Sequence, residues 1–436
     1  MRVALAAVLA ALVAGPFAPR ALAETLPPPE EVARIYLSRA RETQTFSQKQ
    51  LMHLVGGPDC ARATALTFRH SSELPDVSEH WYLASQIWAD LALARTGDQA
   101  SLCQALRGLA FLEWHWDADR PEGGYFARLS LGGDRVIVSD KYADDNALVG
   151  LVWADLTRMA TTSHERQLAL GRARATADWL MNGDVWDNVF GGGFWWNNRQ
   201  GDTIEGKPAQ TNALAAQFFL ELYELSGDPK YREAAVKTLH WMGDRLWDER
   251  AGLYRWAIYY ENLKERSGEV VARRFFNYDQ GIMIEAHLLA ERLLDGRGQH
   301  LARARMIAER LDTTFWDPRV GGYDLEAGVA QVFPTYSAWL TQSLLALYEV
   351  DRDVRWLERA RGNVEALNDR AWDPAHGGYY NRYYVCRDEA APGCKSGVAV
   401  SFDPAKHTAA QAWMQRAQAL LSLAQSPPFD SHDPQL

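Results

Sequence analysis

The sequence predicts an all-α protein, an (α/α)6 barrel (toroid) of six inner and six outer helices. Three observations predict it. One phrase, Trp-Asp followed after a few residues by glycine and an aromatic, occurs five times: WDADRPEGGY from Trp116, WDNVFGGGFW from Trp186, WDERAGLY from Trp247, WDPRVGGY from Trp316 and WDPAHGGY from Trp372. Between these phrases the apolar residues follow helical spacing. Two kinds of helix also alternate, a mixed amphipathic one before each phrase and a more apolar, Ala-rich one after it.

The amphipathic segments are 29–54, 99–115, 164–181, 229–246, 298–315 and 353–371. The apolar ones are 78–95, 142–159, 208–226, 278–294, 334–350 and 406–424. An all-round apolar helix needs burial, whereas an amphipathic one needs a single wet face. A ring of inner helices wrapped by outer helices satisfies both. The Asp, Pro and Gly of each phrase supply a tight turn. The phrases join outer to inner helices, so they gather at one end of the barrel, where short strands could form. An open α-solenoid would share this periodicity, but six such similar repeats favour closure. Residues 24–425 read as one catalytic domain and 426–436 as a frayed tail.

Residues 1–23 read as a secretory signal peptide. Arg2 gives a positive start, Val3 to Val13 is a short apolar core, and Ala21-Leu22-Ala23 has the form of a cleavage site. The apolar run is too short to span a membrane. An exported protein, periplasmic or extracellular, follows. The four cysteines then permit two disulfides; Cys386–Cys394 brackets a short loop, leaving Cys60–Cys103. The formal net charge of −10 carries no basic stripe for nucleic acid. No partner beyond a small or polymeric ligand is indicated, and a monomer is expected. The chain has 17 Trp and 17 Tyr. Flat aromatic faces stack on the C–H faces of sugars, so the surplus points to a carbohydrate.

The loop-rich mouth of such a barrel is the expected cleft. Three clusters stand where inner helices begin. The first is Lys141-Tyr142-Ala143-Asp144-Asp145-Asn146, two adjacent carboxylates ahead of an apolar run. Aspartates can simply cap a helix, but two of them in one cleft repel, and their pKa values split into an acid and an ionised partner. Glycosidic cleavage needs such a pair. The second is Gly191 to Asn198 with Trp195 and Trp196, followed by Lys207 to Asn212. The third is Asn277-Tyr278-Asp279-Gln280-Gly281, polar where an inner helix should be apolar.

These clusters, as KYADDNALVGL, GGGFWWNN with KPAQTNALAAQFFLELYELSGD, and NYDQG, resemble glycoside hydrolase family 76. That family comprises endo-α-1,6-mannanases and related fungal wall transglycosylases. The resemblance covers roughly residues 80–350. It departs at Asp279, where the family's motif has Asn, and at Pro208, where members often have Asn. It implies a retaining hydrolase of α-mannosidic linkages, with Asp144 as nucleophile and Asp145 as general acid/base. It implies an oligo- or polysaccharide substrate and neither metal nor cofactor. Trp195 and Trp196 would be sugar platforms. Tyr142, Asn146, Lys207, Asn212, Tyr278 and Gln280 would bind substrate.

Two other readings use the same frame. A sugar epimerase of the N-acylglucosamine 2-epimerase type would use histidines, and His407 and His287 lie at or in inner helices. A glycan-binding toroid would need no chemistry. Walker-type loops, nucleophile elbows and HExxH motifs are absent from the sequence.

Overall fold

The computed structural model describes residues 28–57, 64–294, 296–385 and 400–425. The expected signal peptide and tail lie outside them. So do Cys60, Cys386 and Cys394, and with them both expected disulfide pairings.

Twelve helices run through the described residues in six outer–inner pairs. The outer members are α1 (Pro29–Gln50), α3 (Gln99–Leu112), α5 (Ser163–Asn182), α7 (Pro229–Arg245), α9 (Gln299–Thr314) and α11 (Val354–Arg370). The inner members are α2 (His80–Ala94), α4 (Ala143–Met159), α6 (Ala209–Ser226), α8 (Asn277–Leu293), α10 (Pro334–Asp351) and α12 (Thr408–Gln425). Each inner helix packs on the next, and α12 packs back on α1 and α2. That last contact closes the ring and excludes an open solenoid. The opening outer helix is shorter than expected: it stops at Gln50, and Met52–Val55 is a strand paired antiparallel with Ala65–Phe68.

The two helix kinds differ as the sequence pattern requires. On α11 the buried residues are Trp356, Leu357, Ala360, Asn363, Val364 and Leu367, one stripe at helical spacing. On α4, Ala143–Asp144 and Asn146 through Asp155 are all buried. One hydrophobic cluster runs from Tyr36 to Leu421. No described helix is long and apolar enough to cross a membrane.

The repeated phrase proves to be a folding device. In each copy the tryptophan and the closing aromatic meet edge to face: Trp116–Tyr125, Trp186–Phe194, Trp247–Tyr254, Trp316–Tyr323 and Trp372–Tyr379, with ring centroids 4.7 to 5.1 Å apart. This geometry suits the aromatic quadrupole. Much of the tryptophan surplus therefore belongs to the scaffold and not to a sugar site. The glycines admit the contact. Gly123 has φ of 72°, and a Cβ there would lie 2.0 Å from Trp116.

A lysine locks three of the loops. Lys141 reaches Asp117 and the Gly123 carbonyl, Lys207 reaches Asp187 and the Gly192 carbonyl, and Lys406 reaches Asp373 and the Gly378 carbonyl. Each stands two residues before its inner helix. In two other loops arginines, Arg255 and Arg319, pair with Asp248 and Asp317.

Candidate active site

All six loops between outer and inner helices lie at the end where inner helices begin. Outer helices α3, α5, α7 and α11 carry side-chain N-caps: Asp98, Thr162, Asp228 and Asp353. The five inner helices α2, α4, α6, α8 and α10 have none. The first N–H of α2, α4, α6 and α8 donates instead to a loop carbonyl, of Ala127, Trp196, Trp256 and Leu325, and the positive dipole ends favour anionic groups at this mouth.

Asp144 and Asp145 occupy the first turn of α4, at that mouth. Asp144 is 5% exposed. Its Oδ2 accepts from Trp196 Nε1 at 3.2 Å, while its buried Oδ1 has no hydrogen bond of normal geometry among the described residues. Burial raises its carboxyl above the usual range, against the backbone N–H groups of Asp145 and Asp144 and the Trp196 N–H. Burial also raises Asp145, where the Asp144 and Glu79 charges add to it and Arg128 opposes. The two side chains thus differ as a working pair must: one is held by donors, the other surrounded by negative charge.

Around the pair stands an aromatic wall. Tyr142 and Trp196 meet at 4.6 Å between centroids, and Tyr278 and Tyr336 at 4.8 Å. Trp81 links Tyr82 to Tyr336, at 5.3 and 6.5 Å. Tyr142, Trp196 and Tyr278, all expected from the sequence, are half-buried here. Charges on Asp144 reach Tyr142, Tyr278 and Tyr336.

Five other expected site residues are placed elsewhere. Asn146, Asn212 and Gln280 are fully buried. Each accepts from the backbone N–H of its loop's closing aromatic, Tyr125, Phe194 or Tyr254, at 2.7 to 2.9 Å. Their amide nitrogens donate to carbonyls of the same loop and helix. Gln411 does the same for Tyr379. These amides clamp loop to helix and have no hydrogen-bonding capacity directed at a sugar. Trp195 is 1% exposed, bonded to Asp187, stacked on Tyr260 and capped by the Lys207 ammonium 4.7 Å from its ring. It is core, not platform.

Lys207 is also core. Its Nζ meets Asp187 Oδ1 at 2.5 Å, the Val189 carbonyl at 2.8 Å and the Gly192 carbonyl at 2.7 Å. Burial lowers it to about 8, with Asp187 opposing. Lys207→Met leaves these acceptors unpaired and should cost about 2 kcal/mol. Thermal unfolding is expected to show the loss while KM of the folded enzyme stays unchanged; a raised KM at unchanged melting temperature would restore Lys207 to the binding site.

Asp279 is fully buried, and neither oxygen has a hydrogen bond of normal geometry among the described residues. Burial raises its carboxyl well above the usual range, and the Gln210 backbone N–H opposes only weakly. A raised carboxyl costs stability as pH rises above its unfolded value of about 4. Asp279→Asn should therefore raise the melting temperature by a few degrees at neutral pH and by much less well below pH 4, where both states hold the proton. A gain independent of pH would contradict this account.

The sequence reading missed Glu79, His80, Trp81 and Tyr336. His80 Nε2 lies 3.5 Å from Asp145 Oδ2. Searching the starts of the first and fifth inner helices would have found all four. His407 does stand at the mouth, its Nδ1 3.2 Å from the Tyr82 hydroxyl, beside His70. His287 lies inside α8, bonded to Tyr254 and His300, and is core.

Residues 137–331 match the model of glycosyl hydrolase family 76. The protein is a glycoside hydrolase. The matched stretch holds the carboxylate pair, Trp196 and Tyr278. Solved structures agree in fold. A family 76 α-mannanase from Bacteroides thetaiotaomicron is similar with a TM-score of 0.67 and 16% identity, over 90% of this chain and 98% of that one. An α-1,6-mannanase from Salegentibacter sp. is similar with a TM-score of 0.64 and 20% identity, over 89% and 99%. An inactive variant of that mannanase, with two consecutive aspartates changed to asparagine, was solved with α-1,6-mannotriose. A cellobiose 2-epimerase from Bacillus thermoamylovorans also has a TM-score of 0.64, at 15% identity, over 90% and 99%, so the fold is not peculiar to hydrolases. No curated protein matches this glycoside hydrolase.

Proposed function

We propose that this glycoside hydrolase cleaves α-mannosidic linkages, α-1,6 in particular, with retention of configuration. The observation that carries the reading is the unlike pair at the start of α4: Asp144 held by Trp196, Asp145 facing the Asp144 and Glu79 charges, with both carboxyls raised. The consecutive aspartates removed from the inactive Salegentibacter mannanase support it.

Ionised Asp144 attacks the anomeric carbon through Oδ1 as the bond to the leaving oxygen breaks. Asp145 gives its proton to that oxygen. Asp145, now ionised, takes a proton from water, whose oxygen attacks the same carbon and releases the Asp144 carboxylate. Trp196 orients Asp144, and the half-buried Tyr142, Tyr278 and Tyr336 offer stacking faces to the sugars. Export, expected from residues 1–23, suits a polymeric substrate met outside the cytoplasm.

The test is incubation of the purified protein with α-1,6-mannooligosaccharides, beside Asp144→Asn and Asp145→Asn. Shorter oligosaccharides from the parent alone support the reading. Full activity in both variants, or none in the parent, would sink it.

The same experiment sorts the other readings. The epimerase reading is favoured by one observation, the His70–His407 pair beside Tyr82 at the mouth. An epimerase would change the reducing-end sugar without shortening the chain. A binding toroid would retain the oligosaccharide unchanged.

The pH dependence follows from the pair. Activity is lost as pH falls through the Asp144 ionisation and as it rises through that of Asp145, the two apparent values belonging to the coupled dyad. Both limbs of the kcat/KM profile should lie above the ordinary carboxylate value of about 4. An acid limb at or below that value would remove the burial argument.

A further inference from the structure

His80 opens α2, and its backbone N–H donates to the Ala127 carbonyl at 3.0 Å. Its Nδ1 lies 3.3 Å from the same carbonyl oxygen. A carbonyl only accepts, so the ring proton sits on Nδ1. The ring is fully buried, stacked on Tyr125 and 5.9 Å from the His115 ring. Burial and His115 hold it to about 3, so the imidazole is neutral in the working enzyme. Nε2 is then a bare lone pair. It has no hydrogen bond of normal geometry among the described residues, and it faces Asp145 Oδ2 at 3.5 Å, the outer limit of hydrogen bonding. An ionised Asp145 would set two lone pairs against each other. A protonated Asp145 has a hydrogen to give.

We propose that His80 is a positioning residue for Asp145, its Nε2 accepting the carboxyl O–H as a hydrogen bond and so aiming and preserving the acid. The proton stays on Asp145 until the leaving oxygen takes it; no proton passes to the ring. The other groups facing Asp145 are Asp144 and Tyr142 on or beside its own helix, Glu79 and Tyr82 at the start of α2, Arg128 on the strand Arg128–Ser130, and Tyr336 on α10. Glu79 is itself tied to Arg128 at 2.7 Å, and the Arg128 charge opposes its effect on Asp145. His80 is the neutral neighbour that discriminates between the two states of Asp145.

This inference rests on the acid role of Asp145 proposed above. The experiment separates the two. Asp145 is titrated by carboxyl NMR, without substrate, in the parent and in His80→Gln, whose amide N–H can donate to the ionised form. The midpoint should fall by about one pH unit in the variant, and the alkaline limb of kcat/KM should fall with it. An unchanged midpoint, or a uniform loss of activity with unmoved limbs, would overturn the proposal and leave His80 a packing residue. A parent without mannanase activity would sink the function while the titration still decides His80. If His80→Gln does not fold, the parent decides: imidazole 15N shifts must show a neutral, Nδ1-protonated ring between about pH 5 and 8. An Nε2-protonated ring would overturn the proposal.

Discussion

Asp144→Asn should lower hydrolysis of α-1,6-mannooligosaccharides by about four orders of magnitude, with little change in substrate affinity. An amide is isosteric with the carboxylate, so Trp196 keeps a hydrogen-bond acceptor and the loop stays in place. On the proposed mechanism, what disappears is the nucleophile. Losing a group that acts only in the transition state lowers kcat and kcat/KM together, and single members of catalytic units cost about this much. The folded state should not suffer. Asp144 is buried with a raised pKa, so removing its ionisation spares a desolvation cost above the unfolded carboxylate value. Asp144→Asn is expected to melt at or above the parent at neutral pH. A large activity loss accompanied by a lower melting temperature would point to a capping role for Asp144.

The loss in Asp145→Asn should depend on the leaving group. A sugar alkoxide needs protonation as it departs, and general acid catalysis of this kind contributes roughly 10² to 10⁴-fold. Hydrolysis of mannooligosaccharides should fall by that order. An aryl α-mannoside with an acidic phenol needs no proton to leave, so its first step should be nearly intact. Its second step still lacks a base, and the mannosyl-enzyme should accumulate. Rapid mixing should then show a burst of phenol followed by slow turnover, and azide should speed the slow phase. Equal losses on both substrates, without a burst, would mean that Asp145 is not the acid.

The fold was legible because the repeat that encodes it is local. Trp-Asp and Gly-aromatic lie within a single loop, and their edge-to-face contact recurs in five copies. The alternation of buried and one-sided helices was equally visible as spacing. The carboxylate pair was legible because two adjacent acids ahead of an apolar run conflict with the surrounding pattern.

The misread residues have a common cause. Asn146, Asn212 and Gln280, like Gln411, each occupy the fourth position of an inner helix, and Lys207, like Lys141 and Lys406, stands two residues before one. Polar residues in an apolar helix looked like ligands for a sugar. Their ligands are backbone groups of the repeat's own loop. The signal that separates the cases was present: a polar residue recurring at one register of several repeats serves the scaffold, whereas Asp144-Asp145 occurs in one repeat alone. Trp195 and Trp196 show the limit of that rule. They are neighbours in sequence, and only their opposite directions, toward Asp187 and toward Asp144, separate core from cleft. His80 could not be paired with Asp145 from sequence, because they stand 65 positions apart, on successive inner helices.

The central claim is that Asp144 carries the sugar between the two steps. The most direct test traps it. The protein is treated with a 2-deoxy-2-fluoro-α-mannosyl donor bearing a good leaving group, which forms the covalent intermediate and slows its breakdown. It is then digested, and the labelled peptide is sequenced by mass spectrometry. The account predicts one fluoromannosyl group, on Asp144. A label on Asp145, or inverted product from an active enzyme that takes no label, would contradict it.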